Sequence, residues 1–152
     1  MQLAQKGELI THDKDQAVLT LMQLRTEVES DFSQIHPEQS LGELVKIVSV
    51  SKRNIFPVVN DEKNLEGIVL LDDIRQIMFD PEKYNRYTVR ELMTQHPDTV
   101  SSTDSMEAVM EKFQKTGAWN LPVVDNDRYI GFVSKSKLFN DYRKILRNFS
   151  DE

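Results

Sequence analysis

The chain has 152 residues, 29% of them charged and 39% hydrophobic, with a formal net charge of −6 and a pI near 5.1. That balance suits a soluble, folded polypeptide and excludes a general nucleic-acid binder, because neutralising phosphates takes a basic surface. The absence of cysteine removes disulfides and the cysteine-based zinc and redox motifs. No apolar run approaches the roughly 18–20 residues of a membrane span, and no signal-peptide pattern opens the chain.

In chain order, residues 1–27 come first. Thr11-His12-Asp13-Lys14-Asp15 carries helix-starting residues, and Val18, Leu21, Met22 and Arg25 have helical spacing with a short apolar stripe. Such a segment is too apolar for a free linker and too short for its own core, so it is expected to dock on the body or on a part not included here. Residues 28–86 follow as a first unit. Phe32–His36 reads as a leading strand closed by Pro37, and Ser40 with Glu43 makes a capping box in front of a Leu41–Val50 helix. Phe56–Val59 is a strand with Pro57 at its start, residues 60–64 are a hairpin turn, and Leu65–Leu71 is the return strand. A closing helix, Asp72–Met78, ends at Pro81.

Residues 87–150 repeat this order. The Thr88–Met93 helix leads, Thr99–Ser101 is the leading strand, and a helix from Thr103 to Thr116 has Asp104 as its cap candidate and Gly117 at its end. Leu121–Val124 and Tyr129–Ser134 form the hairpin, and Ser136–Leu146 is the closing helix. The repetition is written in the residues. Pro57 and Pro122 stand 65 positions apart, while Gly67 and Gly131 stand 64 apart, one residue having been lost in the intervening turn. Leu41, Leu44, Val45 and Val48 recur as Met106, Val109, Met110 and Phe113 at the same offset of 65. This is an internal duplication. Each unit has too small a core to be stable alone, so the two are expected to pack together.

The doubled order of strand, helix, apolar-Pro-Val-Val, turn and Gly-apolar-Val resembles the cystathionine-β-synthase (CBS) domain, present as a tandem pair over about residues 28–146. The resemblance implies an α+β fold of two β-α-β-β-α repeats packed with pseudo-two-fold symmetry, a Bateman-type module. Leu3-Ala4-Gln5-Lys6-Gly7 with Thr11-His12-Asp13, Asn54-Ile55-Phe56-Pro57-Val58, Leu71-Asp72-Asp73-Ile74-Arg75 and Trp119-Asn120-Leu121-Pro122-Val123 look like bacterial CLC-type chloride channels and antiporters that end in a CBS pair. On that likeness residues 1–27 lead from a missing transmembrane domain, and the fragment sits at the cytoplasmic face of a membrane.

In the CBS family each of two clefts can hold an adenosine nucleotide. The apolar-x-apolar-Pro strand lines the base, and a Ser/Thr-x-x-Asp pair meets phosphate and ribose. Here the hydroxyl position of the first repeat is Leu70 and its acid is Asp73; the second repeat has Ser134 but Lys137 for the acid. Neither cleft has the complete pair. One would combine Ala118, Trp119 and Leu121 with Leu70 and Asp73. The other would combine Arg53 and Phe56 with Ser134 and Lys137, where Lys137, Lys135 and Arg53 attract phosphate but accept nothing from ribose hydroxyls. A multiply charged ligand such as ATP suits this second cleft; ADP and AMP are the other implied ligands, and no cofactor is required.

Other readings stand beside these. Asp73 also serves as a cap on the closing helix, Lys135 and Lys137 as a solvated face, and Phe56, Leu121, Phe113, Met106 and Met110 as core. Trp119 has three readings: core, base-stacking surface, or dimer contact. His12, His36 and His96 are too scattered for a metal site, and Asp72-Asp73 has no partner cluster. Without a Gly-rich phosphate loop or a nucleophile triad, an enzyme is not expected. A regulatory module of a CLC-type protein, a ligand-free dimerising scaffold and a stand-alone nucleotide sensor remain as functions. Ile77, Met78, Phe79, Phe139 and Tyr142 on the closing helices are expected to form a homodimer face.

Overall fold

A computed structural model describes residues 22–96 and 98–150 of the chain. The expectations for residues 2–21, including the Thr11–Asp15 helix start, lie outside the described residues. The chain order is α1 (Leu24–Glu27), β1 (Val28–Glu29), α2 (Leu41–Val50), β2 (Ile55–Val59), β3 (Leu65–Leu70), α3 (Leu71–Ile74), a 3-10 turn at Pro81–Lys83, α4 (Val89–Leu92), α5 (Met106–Thr116), β4 (Asn120–Asp125), β5 (Arg128–Ser134) and α6 (Lys135–Ser150).

Local chemistry sets most of these bounds. Ser40 caps α2 by accepting from the Glu43 amide at 3.2 Å, and Leu41 and Leu44 turn one face fully inward. Gly117 ends α5 in the left-handed conformation, its amide bonded to the Phe113 carbonyl at 3.0 Å. The cap of α5 differs from expectation. Ser105 holds it, accepting from Ala108, whereas Asp104 accepts from the Ser101 amide and faces Lys112 at 3.6 Å. The closing helix of the first half is shorter than the spacing predicts. Regular helix stops at Ile74, and the Met78 amide bonds back to the Ile74 carbonyl before Asp80 caps the 3-10 turn. Its counterpart α6 is longer and begins at Lys135.

The two hairpins, β2–β3 and β4–β5, are antiparallel and repeat one another in detail. The leading strands at Phe32–His36 and Thr99–Ser101 reduce to one parallel bridge each. Ile35 is bonded to the Pro57 carbonyl and the Val59 amide, and Val100 to the Pro122 carbonyl and the Val124 amide, at the same offset of 65. Pro57 is the third residue of β2, not the first. Its backbone faces the Ile35 side of the strand, so its missing N–H costs the β2–β3 ladder nothing. The tighter of the two turns accounts for the single-residue difference in length: Asn126 and Asp127 both take positive φ, as a two-residue hairpin loop requires.

The segments ahead of each half are exchanged. Val28 and Glu29 pair with Val133 and Phe132 at the edge of the second hairpin, giving the sheet order β1-β5-β4. Thr94, the counterpart of Glu29, bridges Ile68 of the first hairpin. Met22 and Leu24 accordingly enter the second core with Phe113, Leu121 and Leu138, while Val89 enters the first with Leu44, Phe56 and Ile74. The expectation that the leading segment docks on the body holds for residues 22–29. A third cluster, Phe32, Val59, Ile68, Tyr129 and Phe132, fills the space between the sheets, with Phe32 and Phe132 centroids 4.6 Å apart. The hairpin tips also join, Tyr129 donating to the Lys63 carbonyl at 2.9 Å and Leu65 to the Asp127 carbonyl at 3.3 Å. The result is a mixed α+β molecule of two like halves sharing one interface.

Candidate functional site

At the end of this shared interface, the strand starts Ile55 and Asn120 occupy corresponding positions of the two hairpins, opposite Leu70 and Ser134 in the ladders. The turn Ser51–Asn54 that delivers β2 leaves Lys52, Arg53 and Asn54 on the rim, and the Leu71 amide bonded to the Asn54 carbonyl at 2.8 Å draws the start of α3 against it. These residues enclose a cleft of about 380 Å³, lined by Phe32, Lys52, Arg53, Asn54, Ile55, Leu70, Asp72 and Asn120. Its size lies in the range of small-molecule sites. Phe32, Ile55 and Leu70 give an apolar wall, Asp72 an acceptor, and Lys52 and Arg53 positive charge.

Arg53 is not free in this cleft. Its Nη2 meets Asp31 Oδ1 at 2.6 Å and Glu29 Oε2 at 2.7 Å, its Nε donates to Asp31 at 3.2 Å, and its guanidinium carbon lies 4.4 Å over the Phe32 ring. Asp31 and Glu29 hold the guanidinium more firmly protonated, and Arg53 in turn keeps the Asp31 carboxyl below its ordinary range. Behind the cleft, burial pushes the Tyr129 phenol well up, and its hydroxyl has no hydrogen-bond partner.

The residues chosen from sequence are distributed differently from expectation. Phe56 and Leu121 are wholly buried, one in each core, so neither presents side-chain surface to a ligand. Both are strand residues whose alternation turns them inward, leaving Ile55 and Asn120 to face the cleft. Ser134 accepts from the Lys137 amide at 3.4 Å and does not line the cleft with Arg53. Lys137 points away, donating to the Thr26 carbonyl at 3.0 Å and lying 3.7 Å from Glu27. Asp73 is exposed in the first turn of α3 and makes no side-chain cap there; Asp72, its neighbour, is the carboxylate at the cleft. Phe32, Lys52, Asn54, Ile55, Asp72 and Asn120 are the lining residues sequence reading missed. The family spacing selects Asp73, and only the orientation of α3 distinguishes the two acids.

Trp119 lies 67% exposed in a second groove of about 450 Å³ on the other half, with Lys135, Ser136, Phe139, Asn140 and Arg143. Lys135 Nζ sits 5.1 Å from the indole centroid. Leu70 and Asp73, paired with Trp119 on paper, are not part of it. The expected dimer face is also thinner: Phe79 is exposed, but Ile77 packs on the first core and Tyr142 on the second. Among the described residues no cluster of His, Cys, Asp and Glu is placed to hold a metal, His36 instead meeting Asp61 at 3.0 Å. No described helix is long and apolar enough to cross a membrane.

Known proteins share this arrangement. The chain is 27% identical to a CBS domain-containing protein of Dictyostelium discoideum, over 74% of this chain and 85% of that one. It is 26% identical to an arabinose 5-phosphate isomerase of Francisella tularensis, spanning 46% of the isomerase's length. Among solved structures, the CBS domain of a CBS domain-containing membrane protein from Sphaerobacter thermophilus aligns with a TM-score of 0.70 at 19% identity, covering 89% of this chain and 96% of that chain. CbpB in complex with c-di-AMP aligns with a TM-score of 0.72 at 15% identity, covering 91% and 96%. The CBS domain of a bacterial CNNM/CorC family Mg2+ transporter aligns with a TM-score of 0.71 at 15% identity, covering 84% and 79%. The CBS domain family matches twice, at residues 26–80 and 89–144, and with the duplicated hairpins and exchanged leading segments this chain belongs to the CBS family as a tandem pair.

Proposed function

We propose that this chain is a non-catalytic regulatory CBS pair that takes an adenine nucleotide in the Arg53–Asp72 cleft. The observation that carries this reading is the cleft itself. It gathers an apolar wall, a carboxylate that accepts from ribose hydroxyls, and two cations for phosphate, features that the sequence had divided between two sites. The complex of CbpB with c-di-AMP, an adenine-bearing ligand held on the same fold, supports that ligand class. The parent is a CLC-type chloride transport protein, a reading supported by the CLC-like wording around Asn54–Val58 and Trp119–Val123; membrane proteins among the structural relatives are compatible with it. On that reading the module sits at the cytoplasmic face of the membrane, pairs with a second copy, and is felt by the membrane part through the segment ahead of β1. Ligand binding shifts the packing of the halves only as far as it favours one packing over another.

One observation favours a ligand-free, dimerising scaffold instead: Glu29 and Asp31 already neutralise Arg53. Calorimetric titration with ATP, ADP, AMP and adenosine, with and without magnesium, separates the two, with sedimentation run alongside. Saturable binding of a phosphorylated ligand that weakens about tenfold or more in Lys52→Ala supports sensing. Silence at millimolar concentration with a stable dimer in sedimentation supports the scaffold.

A further inference from the structure

Glu27 is the one charged residue buried among the described residues, with 5% of its surface exposed. It ends α1, the short helix that carries the leading segment onto the second half. Every charged group facing it among the described residues comes from α6. Lys137 Nζ lies 3.7 Å from Glu27 Oε2, an oxygen with no hydrogen-bond partner, and Asp141, one turn further along α6, presents a second carboxyl to the first. On its own segment Arg25 is exposed, and Glu29 is taken by Arg53.

The duplication supplies an internal control. The counterpart of Glu27 is Leu92, and that of Asp141 is Ile77. Both pack against the first core as ordinary apolar contacts. Hydrocarbon therefore stands in the first half where the second has the two carboxyls, and the counterpart of Lys137 there is the exposed Asp73. Docking alone is served by the apolar version, since a buried ionised carboxyl carries a desolvation penalty that one amine at 3.7 Å offsets only in part.

We propose that a proton held by Glu27, buried at the α1–α6 joint beside Lys137 and Asp141, latches the leading segment onto α6, and that the segment loosens when this proton is lost. Burial, then the Asp141 carboxyl, pushes the Glu27 carboxyl up to about 7, with Lys137 opposing. A carboxyl raised in the folded state binds its proton more tightly there than in the open chain. Its contribution is thus full below about pH 4.5 and is lost as pH rises through about 7. On the reading proposed above, this segment is the link to the membrane part, so pH would be felt at that link; the latch itself requires neither that parent nor a ligand in the cleft.

The test is carboxyl-detected NMR titration of the whole chain, with amide-exchange protection of residues 24–29 measured at pH 5.5 and 8.5 and corrected for intrinsic exchange. Glu27 should titrate near 7, and protection should fall more than tenfold at the higher pH. Glu27→Gln, which keeps the shape without the charge, should show no such fall. Asp141→Asn should lower the midpoint by about one unit. A midpoint near 4.3, the ordinary value for glutamate, overturns the latch, as does an equal loss of protection in Glu27→Gln. An unmoved midpoint in Asp141→Asn overturns the part given to Asp141.

Discussion

Arg53 shows how a residue type suggests a role and its neighbours decide it. A guanidinium beside a cleft suggests a phosphate site, yet its strongest bonds are to Asp31 and Glu29, which lie more than twenty positions earlier in the chain and come close only because β1 pairs with β5. A phosphorylated ligand in this cleft must compete with Asp31, the more exposed of the two acids. Asp31→Asn should therefore tighten binding of ATP several-fold and leave the melting temperature nearly unchanged, since exposed ion pairs contribute little to stability. Titration of the variant beside the wild type reads the first effect and thermal unfolding the second. Weaker or equal binding would mean that Asp31 positions Arg53 for the ligand or that phosphate does not reach it.

At the scale of elements, the hairpin glycines explain how the exchanged segments seat. A Cβ on Gly67 would stand 2.8 Å from the Thr94 carbonyl oxygen, and one on Gly131 would press into the Glu29 carbonyl and the Val28 side chain. Each return strand carries a glycine where the exchanged segment crosses it closely. Neither glycine is needed for a positive φ, so the requirement is one of space. Gly131→Ala should push β1 off β5 and destabilise the fold by about 2 kcal/mol, in the range of overpacked sites. Urea denaturation measures the loss, and an unchanged midpoint would show that β1 shifts freely. The same scale holds the correction at α3. Asp72 and Asp73 are adjacent in a four-residue helix, so they point about 100° apart, and only one can face the cleft.

For the whole molecule, the exchange of leading segments means that each core takes residues from outside its own sequence unit. Residues 28–86 carry the hairpin and α2 of the first core but omit Val89, Leu92, Met93 and the edge residue Thr94, all of which pack or pair there. Fully burying Val89 is worth roughly 1.5–3 kcal/mol, and with the partly buried Leu92 and Met93 the loss rivals the margin of a domain this small. A fragment of residues 30–96 should unfold cooperatively in urea when followed by circular dichroism, while residues 28–86 should show no transition. Equal behaviour of the two fragments would mean that the exchanged segment adds little to the first core.

The duplication, the hairpins with their prolines and glycines, the caps at Ser40 and Gly117, and the membership of the family were all legible in the sequence, because each rests on spacing or on the geometry of single residues. The short leading strands and the curtailed α3 were less so, since apolar residues there serve packing without completing a ladder or a helix. What tertiary structure decided was which side chains meet. Alternation alone hides Phe56 and Leu121 and turns Ile55 and Asn120 to the cleft, but pairing β1 with β5 is what brings Glu29 and Asp31 to Arg53, and seating α1 on α6 is what buries Glu27 beside Lys137 and Asp141. These are contacts between residues 22 to 114 positions apart, set by how two copies of one motif exchange their ends, and no local pattern records them.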